Sequence, residues 1–301
     1  AGKDYKKLKN LKITGQINQS DFYFMRDRMD KLQALNLKEV RIKAEGRSGL
    51  YDFECLDDQI PGSAFFWSST MQGKDLVRLV FPDTLKSIGD HAFYGCKYLS
   101  GSLIIPEGVE EIQMGAFNNC TGLNGTLSLP TTLKYLGTKG NDPNKETAEE
   151  GNDYYGGVFQ NCSGLVGELI LPDNLELIRG YCFNGCNGLT GELRLPDKLR
   201  RLGNCAFSGC EGLTGSLSIP QEIQVIPSEA FNGCGFDGTL QLHDGITNIG
   251  NNAFSGCHFK GELVLPKYLS VIANEAFYAN DFSGVLKIPS GIKEKKKKAF
   301  A

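Results

Sequence analysis

Ten cysteines and three histidines are the residues in this chain best suited to chemistry. Cysteines in this number could build a disulfide framework or a zinc centre. Their spacing argues for something else. Cys96, Cys120, Cys162, Cys186, Cys210, Cys234 and Cys257 recur at steps of 24, 42, 24, 24, 24 and 23 residues. A thiol that returns once per repeat and faces one way forms a column, with neighbours about 5 Å apart if the repeats stack like strands. That spacing alone would permit a bridge, but the shared side-chain direction favours a ladder of buried thiols. Cys182 occupies a slot held by Ala elsewhere and reads as core. Cys205 is out of register with it, and Cys55 falls in an early loop.

The histidines do not assemble a site. His91, His243 and His258 stand in different repeats and different slots, and adjacent Cys257 and His258 point apart in an extended chain. A nucleophile and its base must lie within hydrogen-bond reach. No phosphate-loop, nucleophile-elbow or HExxH motif occurs, so the chain is not read as an enzyme and no cofactor is expected. An acidic stretch holds Asp142, Asn144, Glu146 and Asp153 at faintly calcium-loop spacing. Thr147 replaces the glycine that such a loop needs, and Asp153 replaces its bidentate Glu. No metal is expected there. The Asn-x-Ser/Thr triplets at Asn18, Asn119, Asn124 and Asn161 read as accidental, because two of them overlap interior cysteines.

What must position these residues is a repeat. Residues 167–190, GELILPDNLELIRGYCFNGCNGLT, align without a gap to residues 191–214, GELRLPDKLRRLGNCAFSGCEGLT. Proline marks the register at Pro82, Pro106, Pro130, Pro172, Pro196, Pro220, Pro266 and Pro289, with His243 in one slot, and Phe repeats in phase from Phe93 to Phe300. A period of 23–24 residues lies within the range of solenoids that stack a short strand and a return segment. Leu193 and Leu195 are two apart and share one face of a strand, while Glu192 and Arg194 take the other. Leu103, Leu127, Leu169, Leu193, Leu217, Leu240, Leu263 and Leu286 should form one buried column and Phe93 through Phe300 another. Gly89, Gly137, Gly180, Gly203 and Gly250 should supply a turn at positive φ.

The run LxLP, LxxIG, AF and a following Cys resembles the BspA-like family of bacterial surface leucine-rich repeat proteins. The resemblance covers residues 60–301 well and 8–59 loosely. It implies an α/β-type repeat solenoid of mainly short β-strands, a right-handed leucine-rich repeat arch. It also implies a secreted or outer-surface module for adhesion and interaction.

Residues 1–59 read as an N-terminal cap with a first divergent repeat, and 60–301 as the solenoid, the two forming one continuous domain. In the cap, 8–19 should be a strand. Residues 21–31 should form an amphipathic helix with Ser20 as N-cap, carrying Phe22, Met25 and Met29 on one face. Residues 43–59 read as a long loop. Repeats begin at Ile60-Pro61, with Ser68 in the cysteine slot. One coil holds 18 extra residues, about 138–155, polar and acidic, which belong in a surface loop. The Lys-rich end, Lys293 and Lys295 to Lys298, reads as a solvated last coil.

A formal charge of −3 argues against nucleic acid as a partner, and no apolar run is long enough to insert in a membrane. The chain opens on Ala-Gly-Lys, which suggests a mature chain with a signal or lipoprotein segment removed, placed outside the cell or on its surface. The expected work is binding of a protein or glycan ligand by a monomer; the alternative is a spacer that presents another domain. The candidate surface is the outward ladder Glu168, Ile170, Glu192, Arg194, Ser216, Ser218, Thr239 and Gln241, with Tyr154 and Tyr155 of the insertion as aromatic anchors.

Overall fold

The computed structural model describes residues 3–45, 55–67, 72–138, 157–295 and 298–300. They form a parallel β-solenoid of about 10 turns with little helix. The chain enters through a short 3-10 helix (Lys3–Lys7) and β1 (Asn10–Ile17). Then come α1 (Gln19–Arg28) and β2 (Ala34–Ile42). β1 and β2 pair in parallel, and the strand Arg78–Val80 pairs with the other edge of β2.

The helix starts earlier than the sequence reading placed it. Asn18, not Ser20, is the N-cap. Its side chain accepts the amide of Asp21 at 3.2 Å, and the Asp21 carboxylate accepts the Asn18 amide at 3.0 Å. Both Asn and Ser are good caps, and an acid three residues on decides for Asn18 by closing a capping box. Ser20 is inside the helix, and its hydroxyl donates to Glu45 at 2.9 Å. Phe22, Met25 and Met29 are buried as expected. Arg26 is buried too; its guanidinium donates to the Ser63 carbonyl at 2.9 Å and lies 4.3 Å from the Tyr23 ring. Those bonds fasten the helix over the first coil. The presumed loop 43–59 contains, in its described part, a bridge of Glu45 to Cys55 and the first residue of the strand Gln59–Ile60.

Each regular coil contributes two strand segments, and these build two separate ladders. The first ladder is the Leu-x-Leu-Pro segment and the residues just before it, as in Gly101–Ile104, Leu123–Ser128, Leu189–Glu192 and Leu217–Ser218. The second is the Leu-x-x-Ile segment two residues long. One run joins six strands from Gln59–Ile60 to Arg201–Leu202, and another joins four from Val225–Ile226 to Glu294–Lys295. Between the ladders lies the core. Successive Phe rings stack at centroid distances of 5.4 Å for Phe65–Phe93, 5.2 Å for Phe93–Phe117 and 5.7 Å for Phe117–Phe159. The last of these pairs spans the insertion, so the extra residues leave the stack undisturbed. Phe22 of α1 continues the column edge-on at 6.0 Å from Phe65.

From Cys120 to Cys257, each thiol in the cysteine column donates to a Phe carbonyl of the coil before it. Cys120 reaches Phe93 at 3.2 Å, Cys162 reaches Phe117 at 3.1 Å and Cys257 reaches Phe231 at 2.9 Å. Asn280 takes over where the cysteines stop, its amide donating to the carbonyl of Phe254 at 2.7 Å. A buried carbonyl needs a donor, and either side chain supplies one. Burial pushes the thiols of Cys96, Cys186 and Cys257 up to about 12, so they stay protonated and able to donate.

Two expectations need correction. Leu103 through Leu263 are buried, but Leu286 is 38% exposed, and Phe300 is only half-buried. Both belong to the last described coil, and no described residue stacks beyond them. The glycine expectation also fails for most of its members. Gly137 has φ +103°, but Gly89, Gly203 and Gly250 are not in the left-handed region. That conformation falls two residues later, at His91, Cys205 and Asn252 with φ of 54°, 55° and 51°. Gly89 is needed for space instead, because a Cβ there would sit 2.6 Å from the amide nitrogen of Gly62.

The second ladder has one interior gap. The residue after each ladder Ile or Leu donates its N–H to the preceding coil: Gly137 to Ile112, Gly203 to Ile178 and Gly250 to Ile226, each at 2.8 Å. Pro227 occupies that place after Ile226 and has no N–H to offer the Leu202 carbonyl. The two runs of the ladder end on either side of it. Pro61, in the same slot, follows the ladder's first strand, Gln59–Ile60, which has no strand before it to bond.

Candidate ligand-binding surface

The outward ladder residues of the sequence reading lie on the first ladder. Glu168, Glu192, Arg194, Ser218, Thr239 and Gln241 are exposed, Ser216 is half-buried, and Ile170 is 67% exposed. Ile104 and Val264 occupy the same column and are 65% and 64% exposed. Alternation along each strand produces this: Leu169 and Leu171 point into the core, and Glu168 and Ile170 point to water.

Small hydroxyl side chains knit parts of the surface. The Ser102 hydroxyl accepts the backbone amide and the hydroxyl of Thr126, both at 3.1 Å, and Ser216 does the same for Thr239 at 2.9 and 3.2 Å. Glycine opens the next coil after the serines and the glutamates alike. Gly191 and Gly215 have φ of 89° and 79°, and a Cβ on Gly191 would come within 3.0 Å of the Glu168 side chain. Glycine in this slot leaves room for the outward side chain of the coil before, serine or glutamate.

Tyr154 and Tyr155, with Asp142, Asn144, Glu146 and Asp153, lie outside the described residues. The root of the insertion is described, and it joins the second ladder. Thr138 donates its hydroxyl to Asp90 at 2.9 Å, and its carbonyl accepts two bonds from Arg179 at 3.1 Å. Burial raises the Asp90 carboxyl above its usual range, against the lowering effect of the Thr138 bond. Glu168, Glu192 and Arg194 therefore neighbour the insertion by coil but sit on a different ladder from its root.

Sequence reading did not single out the second ladder. Its exposed side carries charges that alternate from coil to coil. Lys134 pairs with Glu110 at 2.8 Å and Arg200 with Glu176 at 3.1 Å. A groove of about 870 Å³ also lies there, running from Leu177–Arg179 to Val271 and Ala273 across the ladder gap. The sequence signal was Ile226-Pro227 in place of Ile-Gly. Among the described residues, no three of His, Cys, Asp and Glu gather into a metal-binding group, and no helix is long and apolar enough to cross a membrane.

The profile of the BspA type leucine-rich repeat region matches residues 60–140, 153–280 and 213–301, with 6 copies. Among solved structures, a leucine-rich repeat protein from Bacteroides ovatus ATCC 8483 is similar at 22% identity and a TM-score of 0.50, over 96% of this chain and 75% of that one. A T. pallidum leucine-rich repeat protein shares 23% identity over 65% of this chain and 68% of its own, at a TM-score of 0.37. A leucine-rich cell surface protein from Faecalibacterium prausnitzii A2-165 shares 16% identity over 92% and 84%, at 0.32. Comparison with curated proteins gives no match. The likeness to the Bacteroides protein is one of fold. Repeat phrase, stacked core and matched profile agree, and the chain belongs to the BspA type leucine-rich repeat family.

Proposed function

We propose that this chain is an adhesion-like binder at a bacterial cell surface, holding a protein or glycan without covalent chemistry. Exposed aliphatic side chains set among polar ones on the outward column of the first ladder carry the reading. Ile104, Ile170 and Val264 stand 65%, 67% and 64% exposed in a frame whose inward leucines are buried. They add nothing to the core, and aliphatic side chains held in water on a rigid strand face suit a partner's surface. Glu168, Glu192 and Arg194 flank them and would set orientation. The unbroken Phe column also makes the molecule a stiff rod, which supports the second reading, a spacer that presents another domain.

Binding to host-surface proteins and to a glycan array, with this chain alone, separates the two. A binder retains a partner, and Glu192→Lys with Arg194→Glu weakens it while the fold survives. A spacer retains none.

A further inference from the structure

We propose that the step between the coil of Leu202 and the coil of Val225 is a hinge, where the solenoid rocks as two blocks and changes the curvature of its first ladder. The inference goes beyond the reading of this chain as a surface binder, and its test needs no ligand.

In a solenoid each coil is held by its neighbours alone, so the bonds across one step set the stiffness there. Along the second ladder every other step from Gln59–Ile60 to Glu294–Lys295 is paired. Among the described residues, no pairing joins Arg201–Leu202 to Val225–Ile226. Pro227 removes the bond that Gly203 makes to Ile178 and Gly250 to Ile226, each at 2.8 Å. The approach to the strand is open as well. Glu176 and Leu177 both donate to the Lys134 carbonyl, at 2.8 and 3.2 Å, and Thr247 donates to Gln224 at 2.8 Å. Neither Gln224 nor Val225 reaches the Arg200 carbonyl in that way. The side chains follow the backbone. Arg200 turns back to Glu176 at 3.1 Å, and Gln224, next in that column, ends the alternation of charge. Leu202 is half-buried, whereas Ile178 and Ile226 on either side are fully buried. The groove of about 870 Å³ lies over this step.

The rest of the coil is fastened. The Cys205 N–H donates to the Ser228 carbonyl at 3.0 Å, that of Phe207 to Ala230 at 2.8 Å and that of Gly209 to Asn232 at 2.8 Å. The Cys234 thiol donates to the Phe207 carbonyl at 3.2 Å, and the Phe207 and Phe231 rings stack at 5.7 Å. Beside the first ladder the same step keeps Gly191 paired with Leu213 and Glu192 with Thr214. A coil tied along two sides and free along the third has one soft motion. The blocks tilt about the tied sides, and the free edges of the second ladder part and close. The Phe column runs through the step, so the blocks rock without separating. Glu168, Glu192 and Arg194 belong to one block, and Ser218, Thr239 and Gln241 to the other. Tilting therefore bends the outward ladder between them, and a partner that spans both blocks selects one curvature.

The test uses the whole chain with spin labels on introduced cysteines, because the ten native thiols are buried and resist labelling. Asp197→Cys with Lys267→Cys straddles the open step. Asp83→Cys with Asp173→Cys covers the same number of coils, all of them paired along the second ladder, and all four positions are exposed. The label-to-label distance distribution should be about twofold wider for the first pair than for the second. In the unlabelled chain the Gln224 and Val225 amides should exchange hydrogen about tenfold faster, or more, than those of Thr247 and Ser270. Pro227→Gly puts an N–H in a slot where Gly137, Gly203 and Gly250 already stand. It should narrow the first distribution and leave the second unchanged, with slow exchange of the new amide verifying closure. Equal widths for the two pairs overturn the proposal, and so does a first distribution that stays wide once the new amide is protected. If that amide stays unprotected, the comparison of the two pairs decides by itself. None of these results involves the first-ladder variants, so the binding reading stands or falls separately.

Discussion

The two ends of the solenoid are built from the same phrase and meet water differently. At the N-terminal end, α1 lies over the first coil, with Phe22 fully buried against Phe65. At the other end, Leu286 and Ile288 are 38% and 44% exposed, although their equivalents Leu263 and Leu265 are 5% and 7% exposed. The residues are similar in kind; the neighbours differ. Burial in a solenoid is supplied by the next coil, so position along the stack determines what a side chain contributes.

The strongest way to sharpen the comparison is to titrate the protected interior. Buried thiols in the stacked coils have folded pKa values raised from 9.0 to about 12, as at Cys96, Cys186 and Cys257. A raised pKa favours the protonated form in the folded chain. Stability from these groups is therefore complete below about pH 9 and is lost as pH rises toward 12, when unfolded thiols ionise first. Each contributes on the order of 1 kcal/mol per pH unit in that window. The urea midpoint should fall steeply between pH 8 and pH 10.5 (values chosen to straddle the unfolded pKa), and replacing Cys186 by Ala should make the fall shallower. An unchanged slope would break the account of the thiols.

Single substitutions come next. Phe207→Ala, in mid-stack, should cost about 3–5 kcal/mol by denaturant unfolding. Phe300→Ala, half-buried in the last described coil, should cost less than half as much. Equal costs would mean that the two ends are not distinguished by cover. At the capped end, Asn18→Ala removes one partner of the capping box and should cost about 1 kcal/mol. Smallest of all, Lys134→Ala removes an exposed ion pair with Glu110 and should change stability by about 0.5 kcal/mol or less.

Much of this could be read in the sequence because the physics repeats. Leucines two apart, Phe in phase and Cys three residues after most of those Phe residues mark the inward columns. What was not legible depended on a neighbour or on competition between two adequate signals. Leu286 looks like every other ladder leucine, and it is exposed because no described coil stacks on it. The left-handed turn escaped because His91, Tyr181, Cys205 and Glu229 hold a conformation that glycine usually announces. Ser20 and Asn18 are both plausible caps, separated by the reach of Asp21. Of the candidate site, the outward ladder was legible from alternation alone. The groove was not, because it follows from one missing N–H at Pro227 and from the alignment of two coils.

The thiol-to-carbonyl bonds have a consequence for inheritance. Each coil carries a donor for the coil before it and an acceptor for the coil after it. A duplicated segment of one repeat length thus arrives with both halves of its own junctions, and a deleted one leaves matching halves behind. Unequal recombination within such a gene would change copy number while conserving every bond type in the column. Asn280 shows that the donor can even change its chemistry, provided that it still reaches the Phe254 carbonyl. Reach in such a lineage can be lengthened or shortened by whole coils, while the outward ladders diverge independently of the core.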